Sequence, residues 1–233
     1  MNTRCAPRRR GTIIFDMDGV LVDVSESYRE AIRETVHLYT GEWIEKELIQ
    51  EYKNEGGWNN DWALSQRILA DLGFPVEYNA VVGEFNRLFV GSDGVPGLVS
   101  REEWLAAPGL LERLSERFAF AIFTGRMQWE AALTLDRFAK AIRFDPLMCA
   151  DDVTCAKPHP EGLVRIGERN PGKRLLYFGD VVDDARSARA AGVPFVGVVE
   201  SRRPRRDEAV AQLRDEGALA VIENINQIEG VLA

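Results

Sequence analysis

Apolar and polar residues alternate along this chain in two rhythms, and the change between them divides it. Residues 12 to 16, TIIFD, form a short β-branched run bounded by Gly11 and an acidic turn, the pattern of a buried strand. Helical spacing follows, in four predicted helices. In the first, Asp23 is placed to cap with Glu26 three residues on, Tyr28, Ile32, Thr35, Val36 and Tyr39 recur on one side, and Gly41 ends the run. The second runs from about Trp43 to Lys53. The third starts at Asn59 or Asn60, both good N-caps, carries Leu64, Ile68 and Leu72 on one face, and stops at Gly73. The fourth spans Val76 to Val90.

Beyond GSDGVPG, a Gly/Pro-rich hinge candidate at 91 to 97, short apolar strands alternate with helical stretches. The strands read as FAFAIFT (118–124), a segment near Phe144 to Met148, RLLYFGD (174–180), PFVGVV (194–199) and LAVIE (219–223). Such alternation predicts parallel strands joined by right-handed crossovers, so the fold class is α/β, a doubly wound parallel sheet with helices on both faces. The first strand must join that sheet. Residues 1–23 and 101–233 are then the α/β core, and residues 24–100 an inserted all-helical domain, with hinges near Val22 to Ser25 and Gly91 to Ser100.

Composition narrows the functional classes. Of 233 residues, 45% are hydrophobic and 28% charged, as in an ordinary globular protein, and no apolar stretch approaches the ~20 residues of a membrane span. A net charge of -8 argues against general nucleic-acid binding. The basic clusters RCAPRRR and SRRPRRDE (201–208) read as solvated surface or tail. No hydrophobic stretch precedes the first strand as a signal peptide would, so a cytoplasmic location is expected. Cys5, Cys149 and Cys155 match no paired metal spacing and read as reduced structural thiols; His37 and His159 also lack ligand spacing. The pattern carries no signal for an oligomeric state.

In an open parallel sheet, ligands bind at the carboxyl ends of the strands. The residues ending these strands are Asp16 with Asp18, then Thr124-Gly125-Arg126, then Gly179-Asp180 with Asp183 and Asp184. Lys157 adds a cation from CAKPHPEG, a loop stiffened by two prolines. Carboxylates gathered at one rim repel unless a cation sits among them, and oxygen-only ligands favour Mg²⁺ over zinc. A divalent ion, a lysine, a hydroxyl and exposed turn amides form a phosphate cage, leaving one carboxylate to attack phosphorus and a second acid to move protons. A calcium loop is excluded: its sixth position needs Gly and its twelfth Glu, where Leu21 and Ser27 stand.

The ordered strings FDMDGVLVD, FTG, AKPHP and GDVVDDARSARAAGV resemble the four motifs of the haloacid dehalogenase superfamily of phosphohydrolases. The resemblance covers the core, and the helical insertion resembles the cap of the subgroup similar to phosphoglycolate phosphatase and β-phosphoglucomutase. It implies that Asp16 is the nucleophile, Asp18 the general acid/base, Thr124 a phosphate donor and Lys157 the stabilising cation. It further implies Mg²⁺ on Asp16, the Asp18 carbonyl oxygen, Asp180 and Asp184, and a phosphate site of Asp16, Thr124, Gly125 and Lys157. Counting back from Ala190-Ala191-Gly192, Asp184 takes the second acidic place of the fourth motif, and Asp183 reads as a helix-start acid.

Specificity is expected in the cap loop NEGGWNNDW (54–62), which in similar enzymes touches the non-phosphate part of the substrate. Its candidates are Lys53, Gly57, Trp58, Asn59, Asn60 and Trp62, with Arg126 reaching substrate or a cap acid. The bland alternative is that the asparagines only cap a helix and the tryptophans only pack. The expected function is a Mg²⁺-dependent phosphatase of a small phosphorylated metabolite, acting through an aspartyl-phosphate. Alternatives are a sugar-phosphate phosphomutase, a phosphonate hydrolase using Lys46 or Lys53, and a non-catalytic binding protein. A dehalogenase is disfavoured by Asp18, and a signalling receiver domain by the strand order of its acids.

Overall fold

A computed structural model of the chain describes residues 10–92 and 94–232. In chain order it runs β1 (Thr12–Phe15), β2 (Val22–Asp23), α1 (Tyr28–Thr40), α2 (Lys46–Glu55), α3 (Asp61–Asp71), α4 (Tyr78–Val90), β3 (Gly91–Ser92), β4 (Val95–Pro96) and β5 (Glu103–Trp104). It continues with α5 (Leu110–Ser115), β6 (Ala119–Phe123), α6 (Gln128–Phe138), β7 (Phe144–Met148), α7 (Glu161–Arg169), β8 (Leu175–Gly179), α8 (Val182–Ala191), β9 (Phe195–Val198), α9 (Arg206–Asp215), β10 (Ala220–Ile222) and α10 (Ile228–Val231).

Six of the strands form one parallel sheet in the order β10-β9-β8-β1-β6-β7, with β1 inside it as expected. Alternation along β1 feeds both faces. Ile13 and Phe15 pack with Leu110, Leu111, Ala131 and Ile228, while Ile14 packs on the other side with Leu163, Ile166, Ala185 and Leu213. Helices on both faces therefore seal a sheet in which β1, β6 and β9 are buried along their whole length, which is why they read as unbroken apolar runs, while the edge strands β7 and β10 are partly open. Register then aims the site. Phe15 lies opposite Ile122 and Phe178, so Asp16, Thr124 and Asp180 leave three adjacent strands at one rim.

Helices α1 to α4 occur where helical spacing placed them, with shifts at three of their starts; α4 begins at Tyr78, not Val76. Asp23 does not cap α1; it sits in β2, which pairs antiparallel with β5 where the chain returns, and its carboxylate accepts the Ser25 amide instead. Helix α2 begins at Lys46, not Trp43, because Trp43 stacks on His37 and the Ile44 carbonyl accepts from Arg33. Asn60 is the N-cap of α3, its side chain accepting from Ala63. The hinge candidate at 91 to 97 contains the small β3–β4 hairpin; Asp93 lies outside the described residues, as does Cys5. No helix among the described residues is long and apolar enough to cross a membrane.

Candidate active site

The acidic turn after β1 is built on its backbone. The Met17 carbonyl accepts from the amides of Val20, Leu21 and Val22, folding the chain back so that Asp16 and Asp18 stay at the rim. Gly19 is required there. Its φ is +71°, and a Cβ would come within 2.6 Å of Asp180 Oδ2, so a side chain would be strained and would collide with the facing carboxylate.

Three carboxylates, from Asp16, Asp180 and Asp184, bring oxygens within 4.8 Å of one another, all buried. Lys157 bridges two of them, its Nζ lying 3.0 Å from Asp16 Oδ1 and 2.7 Å from Asp184 Oδ1. Burial alone would lower the lysine's pKa, but the two carboxylates outweigh it and hold the ammonium above its usual value. Burial pushes the Asp16 carboxyl well up; Lys157 opposes this, and the charges of Asp184, Asp18 and Asp180 add to it. Asp180 is raised by burial as well, with Arg203 opposing. One lysine and one arginine thus leave this oxygen-only cluster short of positive charge, the condition under which a hard divalent ion fits.

Asp184 is fully engaged. Its Oδ1 accepts from Lys157 and from the Tyr177 hydroxyl at 2.7 Å, and its Oδ2 from the amides of Asp180 and Val181. Asp183, one residue earlier, faces a different partner: its Oδ2 accepts from the Gly57 amide and from Asn59 Nδ2, both at 2.7 Å. It is therefore more than a helix-start acid, because it ties the cap loop to the core. Gly56 permits this approach, since a Cβ there would come within 2.8 Å of Asp183 Oδ1.

The remaining cap-loop candidates divide. Lys53 donates to the Trp58 carbonyl and to Asp61, bracing the loop from inside. Trp58 meets Tyr52 edge-on and packs with the apolar core. Asn59, Asn60 and Trp62 line a cavity of about 110 Å³ beside Thr124, Gly125 and Lys157. Arg126 lines it too, yet its guanidinium is spent within the protein: Nε and Nη2 donate to Asp18 Oδ1, Nη2 to Glu102 and Nη1 to Thr134, while its plane lies 4.9 Å from the Tyr28 ring centre.

Sequence reasoning missed Glu102, Thr134, Glu130, Tyr177 and Arg203. The basic run 201 to 208 is a correction: Arg203 is buried, not solvated, and donates to the Asp180 carboxylate at 2.9 Å and to its carbonyl at 2.7 Å. A strand end followed by arginines, next to the strand carrying Asp180, was the signal available. Burial lifts the Cys149 thiol to about 12, in keeping with a structural role. His159, despite its spacing, lies with Cys155 and Glu161, but its Nδ1 accepts the Glu161 amide and the glutamate binds the amides of Thr154 and Cys155.

A family model for the haloacid dehalogenase-like hydrolases matches residues 11–192, and the chain belongs to that family. Among its relatives, an imidazoleglycerol-phosphate dehydratase of Phytophthora nicotianae is 32% identical over 196 residues, 80% of this chain; the match spans only 43% of that relative's length. A phosphorylated carbohydrates phosphatase of Thermotoga maritima is 27% identical, covering 94% of this chain and 99% of its own. Among solved structures, a Thermotoga maritima protein described as a β-phosphoglucomutase superposes with a TM-score of 0.65 at 26% identity, over 95% of this chain and 98% of that one.

Proposed function

We propose that this chain is a Mg²⁺-dependent phosphatase that hydrolyses a small phosphorylated metabolite through an aspartyl-phosphate on Asp16. The observation that carries the reading is the Asp16 carboxylate at the end of β1, ion-paired at 3.0 Å with Lys157 and clustered with Asp180 and Asp184, with a second acid, Asp18, two residues on. The named relatives that act on phosphate esters support the same class.

Asp16 attacks phosphorus, the bond to the ester oxygen breaks, and Asp18 gives that oxygen its proton. Water then attacks the phosphoryl group, Asp18 takes up the water's proton, and phosphate leaves with the Asp16 carboxylate restored. Lys157 neutralises charge on the phosphoryl oxygens, and Thr124 and the Gly125 amide supply donors around them. Asp18 Oδ1 is pinned by Arg126, while its other oxygen makes no hydrogen bond among the described residues. Mg²⁺ would rest on Asp16, Asp180 and the Asp18 carbonyl oxygen and would supply electrostatic shielding between carboxylates and phosphate. Asp184, expected among its ligands, has its oxygens occupied by Lys157, Tyr177 and two amides, and in this reading it orients those groups for the ion's site.

The test is hydrolysis of p-nitrophenyl phosphate with and without Mg²⁺: turnover that EDTA abolishes and Mg²⁺ restores supports the proposal, and absence of turnover with the ion contradicts it. The phosphomutase alternative, favoured by the likeness to the protein described as a β-phosphoglucomutase, would instead accumulate a bisphosphate.

A further inference from the structure

The basic run after β9 sets an arginine against a carboxylate proposed to hold the metal. Arg203, 9% exposed, donates from Nη1 to Asp180 Oδ2 at 2.9 Å and to the Asp180 carbonyl at 2.7 Å. Gly19 faces the same oxygen, and Asp180 Oδ1 is left without a hydrogen bond among the described residues. Nothing in the proposed reaction uses Arg203, and none of the four motif strings contains it.

Stability does not account for this contact. Burying an ion pair loses about as much in desolvation as it gains in attraction, and the Arg203 Nε is buried with no partner among the described residues, a further cost. Burial lowers the pKa of Arg203; Asp180 opposes this, and the charge of Arg29 adds to it. The guanidinium stays protonated even so.

Arg29, half-buried in the first turn of α1, is the second cation acting on Asp180. Unpaired among the described residues, it lines a cavity of about 50 Å³ with Asp16, Asp18, Gly125 and Asp180. Burial raises the Asp180 pKa, Arg203 opposes the rise most, and Arg29 opposes it too. Both side chains proposed to carry Mg²⁺ thus already face cations, Asp16 through Lys157 and Asp180 through Arg203 with Arg29 in addition. Each fixed positive charge beside a carboxylate repels a divalent ion that would share it.

Resting on the phosphatase reading, we propose that Arg203, supported by Arg29, sets the Mg²⁺ affinity of this site low, so that the ion and a phosphorylated ligand are retained together, the ligand's negative charge offsetting the arginines. Arg203 acts through Asp180 and is a positioning residue. The coupling is reciprocal: phosphate tightens the ion as the ion tightens phosphate.

The test is calorimetric titration of the whole chain with Mg²⁺, alone and in saturating inorganic phosphate. Arg203→Gln, which keeps a hydrogen-bond donor and loses the charge, is expected to bind Mg²⁺ alone about tenfold more tightly than the wild type, and Arg29→Gln about threefold. With phosphate present, that advantage is expected to shrink in both variants. Damage to the site loosens the ion, so a gain in affinity reads charge and not structure. Unchanged or weaker binding of Mg²⁺ by Arg203→Gln, or an advantage that phosphate leaves intact, overturns the inference; if that variant does not fold, Arg29→Gln decides it by the same criteria. Tighter Mg²⁺ binding by the variants without wild-type turnover of p-nitrophenyl phosphate sinks the phosphatase reading alone, and turnover with unchanged Mg²⁺ binding sinks this inference alone.

Discussion

The carboxylate cluster at the sheet end and the cap loop above it are held in opposite ways. In the cluster, Asp16, Lys157, Asp180, Asp184, Tyr177 and Arg203 are buried and bonded to one another from β1, β8, the start of α8 and two loops. The loop instead touches the core chiefly at one acid, Asp183, through the Gly57 amide and the Asn59 side chain, with weaker help from Asn54 to Glu208. The difference teaches a division of labour. Under the proposed function, chemistry would need charges fixed within tenths of an ångström, which strand ends supply, and admission of substrate would need a contact that can open, which few bonds allow.

The widest break in that comparison is expected from Asp16→Asn. In the proposed route it removes the attacking carboxylate, and hydrolysis of p-nitrophenyl phosphate is expected to fall by about four orders of magnitude. Because burial already disfavours the Asp16 charge, the fold is expected to survive, with a near-native circular dichroism melt. Residual turnover above a few percent would contradict the covalent route.

Next in size is Arg126→Met. This guanidinium, 2% exposed, is the counter-ion of Asp18 and Glu102, and stranding buried acids costs about 3–5 kcal/mol, toward the lower end here because Asp18 is partly exposed. Urea unfolding should show the loss; an unchanged midpoint would mean the network is not structural.

Glu130 gives a pH signature of somewhat smaller size. Its folded pKa, lifted by burial to about 7, lies above its unfolded value, so its ionisation works against the fold. Relative to Glu130→Gln, the wild type should match below the unfolded pKa, lose stability as pH rises toward 7, and stay lower above it. The loss is at most roughly 3 kcal/mol. Parallel stability–pH curves for the two proteins would contradict the assignment.

The smallest effect sharpens the loop side. Asp183→Ala should release residues 54 to 60, raising KM about tenfold with less change in kcat and speeding limited proteolysis within the loop. Unchanged KM and cleavage would show that the loop is held elsewhere.

What the sequence made legible follows the same division. Strand runs, the helices α1 to α4 and the positions of Asp16, Asp18, Thr124 and Asp180 just past strand ends could be read because strand and helix periodicity and strand ends are local signals, while Lys157 came from its proline-flanked loop. The two-residue pairing of β2 with β5 could not, being too short to show alternation, and it displaced Asp23 from its expected cap. Nor could the Arg126–Glu102–Thr134 network, whose members come together only when α6 docks beside the crossing chain. Asp183 and Asp184 illustrate the limit: spacing separated their places in the motif, but only packing shows one gripping the cap and the other the lysine.

The most direct measurement is acid quenching of the protein during turnover, followed by borohydride reduction and mass spectrometry of its peptides. Phosphorylation of residue 16, seen as its reduction to the corresponding alcohol, is the expected result. A phosphoryl group on another residue, or none at any time during turnover, would contradict the account.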